Sequence, residues 1–75
     1  MTSTYTITGG DHGNYRIFKN NEGLPWAFVR LNAQGGGYTV TRDDKSGEAS
    51  FRNMPACDTS EEQAQIIAAM VGGGV

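Results

Sequence analysis

One cysteine, one histidine and two prolines are all that this 75-residue chain holds of three chemically or conformationally special residue types. With Cys57 alone no intramolecular disulfide forms, and small secreted domains normally depend on such staples. The expected compartment is therefore a reducing cytoplasm. One His and one Cys fall short of the three or four ligands zinc needs, so no metal site is expected. No apolar run approaches the ~20 residues of a membrane span, and no basic-then-apolar leader is present. Long hydrophobic stretches are equally scarce. At 37% hydrophobic residues the chain supports one domain, residues 1–75, with a thin core. That leaves little structure from which to build a deep, dry catalytic cavity, so neither an enzyme nor a cofactor is expected.

What is plentiful is glycine, eleven in all, and it divides the chain into short alternating segments. "STYTITGG" alternates Tyr5 and Ile7 with threonines and ends in a double glycine, as a strand entering a turn does. "YRIFKN", "WAFVRLN", "YTVTR" and "EASFRNM" repeat the period-2 pattern, separated by "NNEGLP", "AQGGG" and "DDKSG". Pro25 lacks an amide hydrogen and suits the first residue of its strand. About five short strands with connections of four to six residues predict an antiparallel meander.

The last third changes period. Thr59 with Glu62, or Asp58 with Glu61 one residue earlier, fits the capping box that opens a helix. Ile66, Ile67, Met70 and Val71 then recur at helical spacing as an apolar stripe, with Gln63 and Gln65 towards solvent. Gly72 begins an expected flexible tail, residues 72–75. The predicted class is α+β: an antiparallel sheet of about five strands with one C-terminal α-helix packed on one face. Under the helix the sheet should present Ile7, Ile17, Val29, Leu31, Val40 and Phe51, with Ile67 and Met70 buried against Val29, Leu31 and Val40.

"LPWAFVRLN", Leu24 to Asn32, complicates this picture, because strict alternation puts Trp26, Phe28 and Arg30 on the face opposite Val29. Arg16 and Phe18 join them there. A second small core would hide those rings. Otherwise Trp, Phe and Arg are the types enriched at protein-binding hot spots, and the same types build single-stranded nucleic-acid platforms by stacking on bases and contacting phosphates. The net charge of −2 argues against direct nucleic-acid binding, where phosphate attraction supplies most of the affinity.

The remaining candidates are weaker. "GGDHGNY" has neither the Lys-Ser/Thr ending nor the following helix of a phosphate loop, so it reads as a turn. Asp11 next to His12 resembles an oriented base, but the pair lies in a glycine-rich turn with no nucleophile nearby in sequence. Asp43, Asp44 and Glu48 lack the ligand spacing of a calcium loop and enclose Lys45. Helix-start carboxylates next to Cys57 oppose a thiolate there.

Charge is unevenly spread. Met1–Arg42 carries Arg16, Lys19, Arg30 and Arg42 against Asp11 and Glu22, a balance of +2. Asp43–Val75 carries Asp43, Asp44, Glu48, Asp58, Glu61 and Glu62 against Lys45 and Arg52, a balance of −4. Small size, a strand-rich body, no catalytic constellation and this acidic segment together resemble small phage-encoded inhibitors, anti-CRISPR proteins among them. The resemblance is one of overall design along the whole chain. It implies a non-catalytic inhibitor that blocks the nucleic-acid groove of a host complex, such as a CRISPR–Cas effector. Asp43, Asp44, Glu48, Asp58, Glu61 and Glu62 would make the acidic contacts. The partner is then a basic nucleic-acid-binding protein, and the sequence is compatible with a monomer or a homodimer.

Overall fold

The computed structural model describes residues 3–34 and 36–72. Five strands follow one another as β1 (Tyr5–Gly9), β2 (Tyr15–Lys19), β3 (Ala27–Leu31), β4 (Tyr38–Arg42) and β5 (Glu48–Phe51). They form one antiparallel sheet in sequence order, and α1 (Ser60–Met70) follows. The expected α+β meander with a C-terminal helix is what the chain forms.

The first two turns have identifiable local causes. A tight turn at Asp11–Gly13 joins β1 to β2, with Gly9, Gly10 and Gly13 all at positive φ. A Cβ on Gly13 would lie 2.7 Å from the Leu31 Cβ, so the turn folds closely over the end of β3. Asn20 and Asn21 occupy the left-handed region after β2, a conformation asparagine tolerates better than most residues.

The helix begins where the capping signal predicts. Thr59 is extended (φ −130°) and its hydroxyl accepts the Glu62 backbone N–H at 3.1 Å. Thr59, rather than Asp58, is therefore the cap. Gly72 follows the helix at φ +87°, and residues 73–75 of the expected flexible tail lie outside the described residues.

One face of the sheet meets the helix. The buried core is Tyr5, Ile17, Ala27, Val29 and Val40 from the strands, Ala64, Ile67 and Ala68 from α1, and Val71, which caps α1. The helix packs along β1. Alanine at 64 and 68, four residues apart on one face, presents no bulk there and permits that close approach. At the far end of α1 a Cβ on Gly47 would stand 2.8 Å from the Val71 carbonyl oxygen, so the β4–β5 hairpin closes against the helix C-terminus.

The helical stripe is rotated from the sequence expectation. Ile67 and Val71 are buried, but the other two members of the expected set, Ile66 and Met70, are 44% and 38% exposed. The alanines at 64 and 68 take inward positions beside Ile67 and Val71, and their small side chains let α1 lie close to β1. Gln63 and Gln65, expected in solvent, are both half-buried, and Gln63 donates its Nε2 to the Pro55 carbonyl at 3.1 Å, tying α1 to the chain entering it. Leu31, expected under the helix, is 46% exposed because it ends β3 at the rim of the sheet.

Candidate functional site

α1 covers one face of the sheet, and the register defines the other. A single row of paired residues crosses all five strands: Thr8, Arg16, Phe28, Thr41 and Glu48. Beside it run a shorter row of Arg30, Thr39 and Ser50 and the pair Thr6 and Phe18. Threonine is well suited to these positions, since its branched side chain fits a pleated surface and its hydroxyl stays hydrated. The hydroxyls are also used. Thr39 donates to the Asn32 side-chain oxygen at 2.7 Å and lies 3.3 Å from the Ser50 hydroxyl, while Thr41 donates to the Glu48 carboxylate at 3.3 Å.

Phe18 and Phe28 are half-buried on this open face. Arg16 and Arg30 are exposed, and neither makes an ion pair among the described residues. Arg16 faces Phe28 directly across the β2–β3 pair. A shallow groove of about 450 Å³ runs from Phe28, Arg16 and Arg30 to Asp11 and His12 of the first turn. The four expected residues Arg16, Phe18, Phe28 and Arg30 therefore share one face.

Trp26 does not join them. Its ring lies 5.2 Å from that of buried Tyr5, and it packs against the core. Its backbone N–H donates to Ile17 O at 2.7 Å, although the register partner of Ile17 is Ala27. Two consecutive residues thus oppose one on β2, a bulge-like entry into β3 that re-aims the side chain. The indole turns to the side of the sheet that Tyr5 and Ala27 occupy, and a strict period of two cannot foresee this.

Around Trp26 the chain builds a polar rim. Lys19 Nζ lies 5.9 Å from the ring centroid and the Arg42 guanidinium 4.8 Å from it. Arg42 also reaches Asp44 at 3.6 Å. Asp44 accepts the Ser46 backbone N–H at 2.9 Å. Hydrogen bonding from the Ser46 side chain and backbone, with Arg42 nearby, holds the Asp44 carboxyl below its ordinary range. A depression of about 470 Å³ opens beside it, lined by Glu22, Leu24, Pro25, Trp26, Arg42 and Asp44.

The six predicted acidic contacts fall into two groups. Asp43, Asp44 and Glu48 belong to the β4–β5 hairpin, where Arg42 and Lys45 partly offset them. Asp58, Glu61 and Glu62 surround the α1 N-terminus. Because Val71 abuts Gly47, the two groups sit at opposite ends of an 11-residue helix, about 16 Å long at 1.5 Å per residue. All six are exposed. No lysine or arginine occurs between Arg52 and the end of the helix, so the carboxylates at the α1 start have no cation on their own segment.

His12 is exposed and held at φ 57°, and Cys57 is half-buried. No hydrogen bond joins His12 to a nucleophile among the described residues, and no cluster of His, Cys, Asp or Glu among them has the makings of a metal site. Among the described residues no helix is long and apolar enough to cross a membrane. No protein-family model matches this chain, and no curated protein or solved structure matches it either.

Proposed function

We propose that the chain is a non-catalytic protein-binding inhibitor that occupies the nucleic-acid groove of a basic partner. The observation that carries this reading is the α1 start: Asp58, Glu61 and Glu62 are exposed and have no basic residue on their segment. Carboxylates on a rigid helix end present acceptor oxygens to lysine and arginine much as a phosphate backbone does. They also steer a basic partner from a distance. By its design the chain resembles small phage-encoded inhibitors, and a CRISPR–Cas effector is the kind of target that resemblance implies. The hairpin carboxylates Asp43, Asp44 and Glu48 provide a second contact.

Two variants separate the acidic groups. One replaces Asp58, Glu61 and Glu62 with alanine, and the other replaces Asp43, Asp44 and Glu48 with lysine. The chain is mixed with a purified CRISPR–Cas effector and labelled target DNA, and displacement of the DNA is measured at low and physiological salt. The helix variant should lose displacement by tenfold or more, with a weaker salt dependence than the parent. Unchanged displacement by both variants would leave the carboxylates with a solubilising role only.

A second reading has its own support. Arg16 faces Phe28 on an open sheet face, with Arg30 on the same strand as Phe28, and neither arginine is ion-paired among the described residues. Such a face stacks bases and contacts phosphates. Trp26 lies on the other side of the sheet and is a poor reporter, so a labelled oligonucleotide is the appropriate probe. Micromolar binding that Phe28→Ala abolishes would favour this reading over the inhibitor.

A further inference from the structure

We infer that β5 is a self-complementary edge through which two copies of this chain pair antiparallel about a twofold axis at Ser50. β5 is the last strand of the sheet and, among the described residues, has a neighbouring strand on one side only, while the strand at the other edge, β1, packs with α1.

The hydrogen-bond parity of β5 follows from its hairpin. Arg42 N–H donates to Gly47 O at 3.0 Å, so Arg42 and Gly47 form a hydrogen-bonded pair. Such pairs alternate along an antiparallel ladder, which makes Thr41–Glu48 and Thr39–Ser50 non-bonded pairs and Val40–Ala49 a bonded one. The backbone groups of Glu48 and Ser50 consequently point away from β4. No backbone hydrogen bond to either from a loop or from α1 is found among the described residues. Both residues are exposed.

The side chains complete the match. An antiparallel copy centred on Ser50 sets Ser50 against its own counterpart, Ala49 against Phe51, and Glu48 against Arg52. The central pair then exchanges two N–H to carbonyl bonds across the axis. Each end carries a carboxylate opposite a guanidinium, and Arg52 is exposed and makes no ion pair among the described residues. The Glu48 carboxylate is already oriented by the Thr41 hydroxyl at 3.3 Å. On the core side a small residue meets a large one, which packs better than two large ones. A parallel copy in register would instead set Glu48 against Glu48 and Arg52 against Arg52. Edge strands are normally blunted by lysine, proline or a bulge. Glu48–Arg52 has neither lysine nor proline, and its end charges attract in the antiparallel register alone.

A five-residue edge is a small interface, so the dimer should form on the order of 100 μM, weaker than a standard-size interface gives. Sedimentation equilibrium over a concentration series reaching about 1 mM is the test. The parent chain should pass from monomer to dimer across that series. Glu48→Arg sets like charges opposite each other at both ends and should remain monomeric, as should Arg52→Glu. An equimolar mixture of those two variants restores both attractive pairs and should dimerise. Ser50→Pro removes an outward N–H from an edge position that tolerates proline, and it should also abolish the dimer. Melting curves for every variant check that the fold persists, and the charge variants carry the test even if the proline variant unfolds. A parent that stays monomeric at the top of the series overturns the inference. So does a dimer that both charge reversals leave intact.

Discussion

The Arg42 guanidinium lies 4.8 Å from the centroid of the Trp26 ring, on the same side of the sheet as the buried Tyr5. Its Nε is buried without a hydrogen-bond partner among the described residues, and the Trp26 ring and the 3.6 Å approach to Asp44 are the contacts that hold its guanidinium there. A cation over an indole contributes about 0.5–2 kcal/mol. Arg42→Ala should destabilise the fold by about 1–2 kcal/mol and alter Trp26 emission, and Arg42→Met should recover about half of that loss because its stem still covers the ring. Equal denaturation midpoints for the two variants would show that stem packing plays no part.

The rotated helical stripe predicts an unequal pair. Ile67→Ala removes a fully buried side chain and should cost about 2–5 kcal/mol, a large share of what so small a domain possesses. Met70→Ala, at a position 38% exposed, should cost less than about 1 kcal/mol. Urea unfolding of both variants measures the difference, and similar losses would contradict the packing described.

Glycine 47 is required by contact rather than by its backbone angle. Gly47→Ala drives a methyl group into the Val71 carbonyl and should destabilise by about 1–3 kcal/mol. Gly23→Ala meets nothing within 4 Å and should fall within about 0.5 kcal/mol of the parent. Thermal melting of the two variants makes the comparison.

Asp44 predicts a pH dependence of fixed sign. Its folded pKa lies below the ordinary 3.8, so the carboxylate contributes stability above that value and loses it as pH falls through the folded pKa. Asp44→Ala should melt lower than the parent near neutral pH, and the gap should narrow as the pH falls below 3.8 and through the folded pKa. A gap that widens in acid would reverse the assignment.

Thr59→Ala removes the hydroxyl that accepts the Glu62 N–H and should cost about 0.5–2 kcal/mol, while Asp58→Ala should cost less. Circular dichroism of the two variants distinguishes the cap from its acidic neighbour.

Local rules made most of this architecture legible. Period-2 segments bounded by Gly, Asn and Asp became the five strands, and the Thr59 signal marked the helix start. Arg16, Phe18, Phe28 and Arg30 were placed on one face because each lies inside a regular strand. Trp26 was not, since it stands where β3 begins and a local doubling against Ile17 reverses its side. Met70 and Ile66 were misread because helical spacing marks an apolar arc without saying which part of it faces the sheet. The close approach of α1 to β1 chose the alanines. Tyr5, left out of the expected core although it is 2% exposed, shows the same dependence on tertiary packing.

That approach of α1 to β1 also bears on the order in which the chain folds. Every strand pairing joins neighbours in sequence, so each hairpin closes a short loop at small entropic cost. The helix instead meets the first strand, bringing Ile67 into one cluster with Tyr5 across more than sixty positions. Contacts of such separation lower folding rates, and they form late when local pairings precede them. Substitutions at Ile67 and Ala68 should then act chiefly on the unfolding limb of a chevron, with those in β3 and β4 acting on the folding limb. The kinetic lifetime of the folded chain is thus set where its two ends meet.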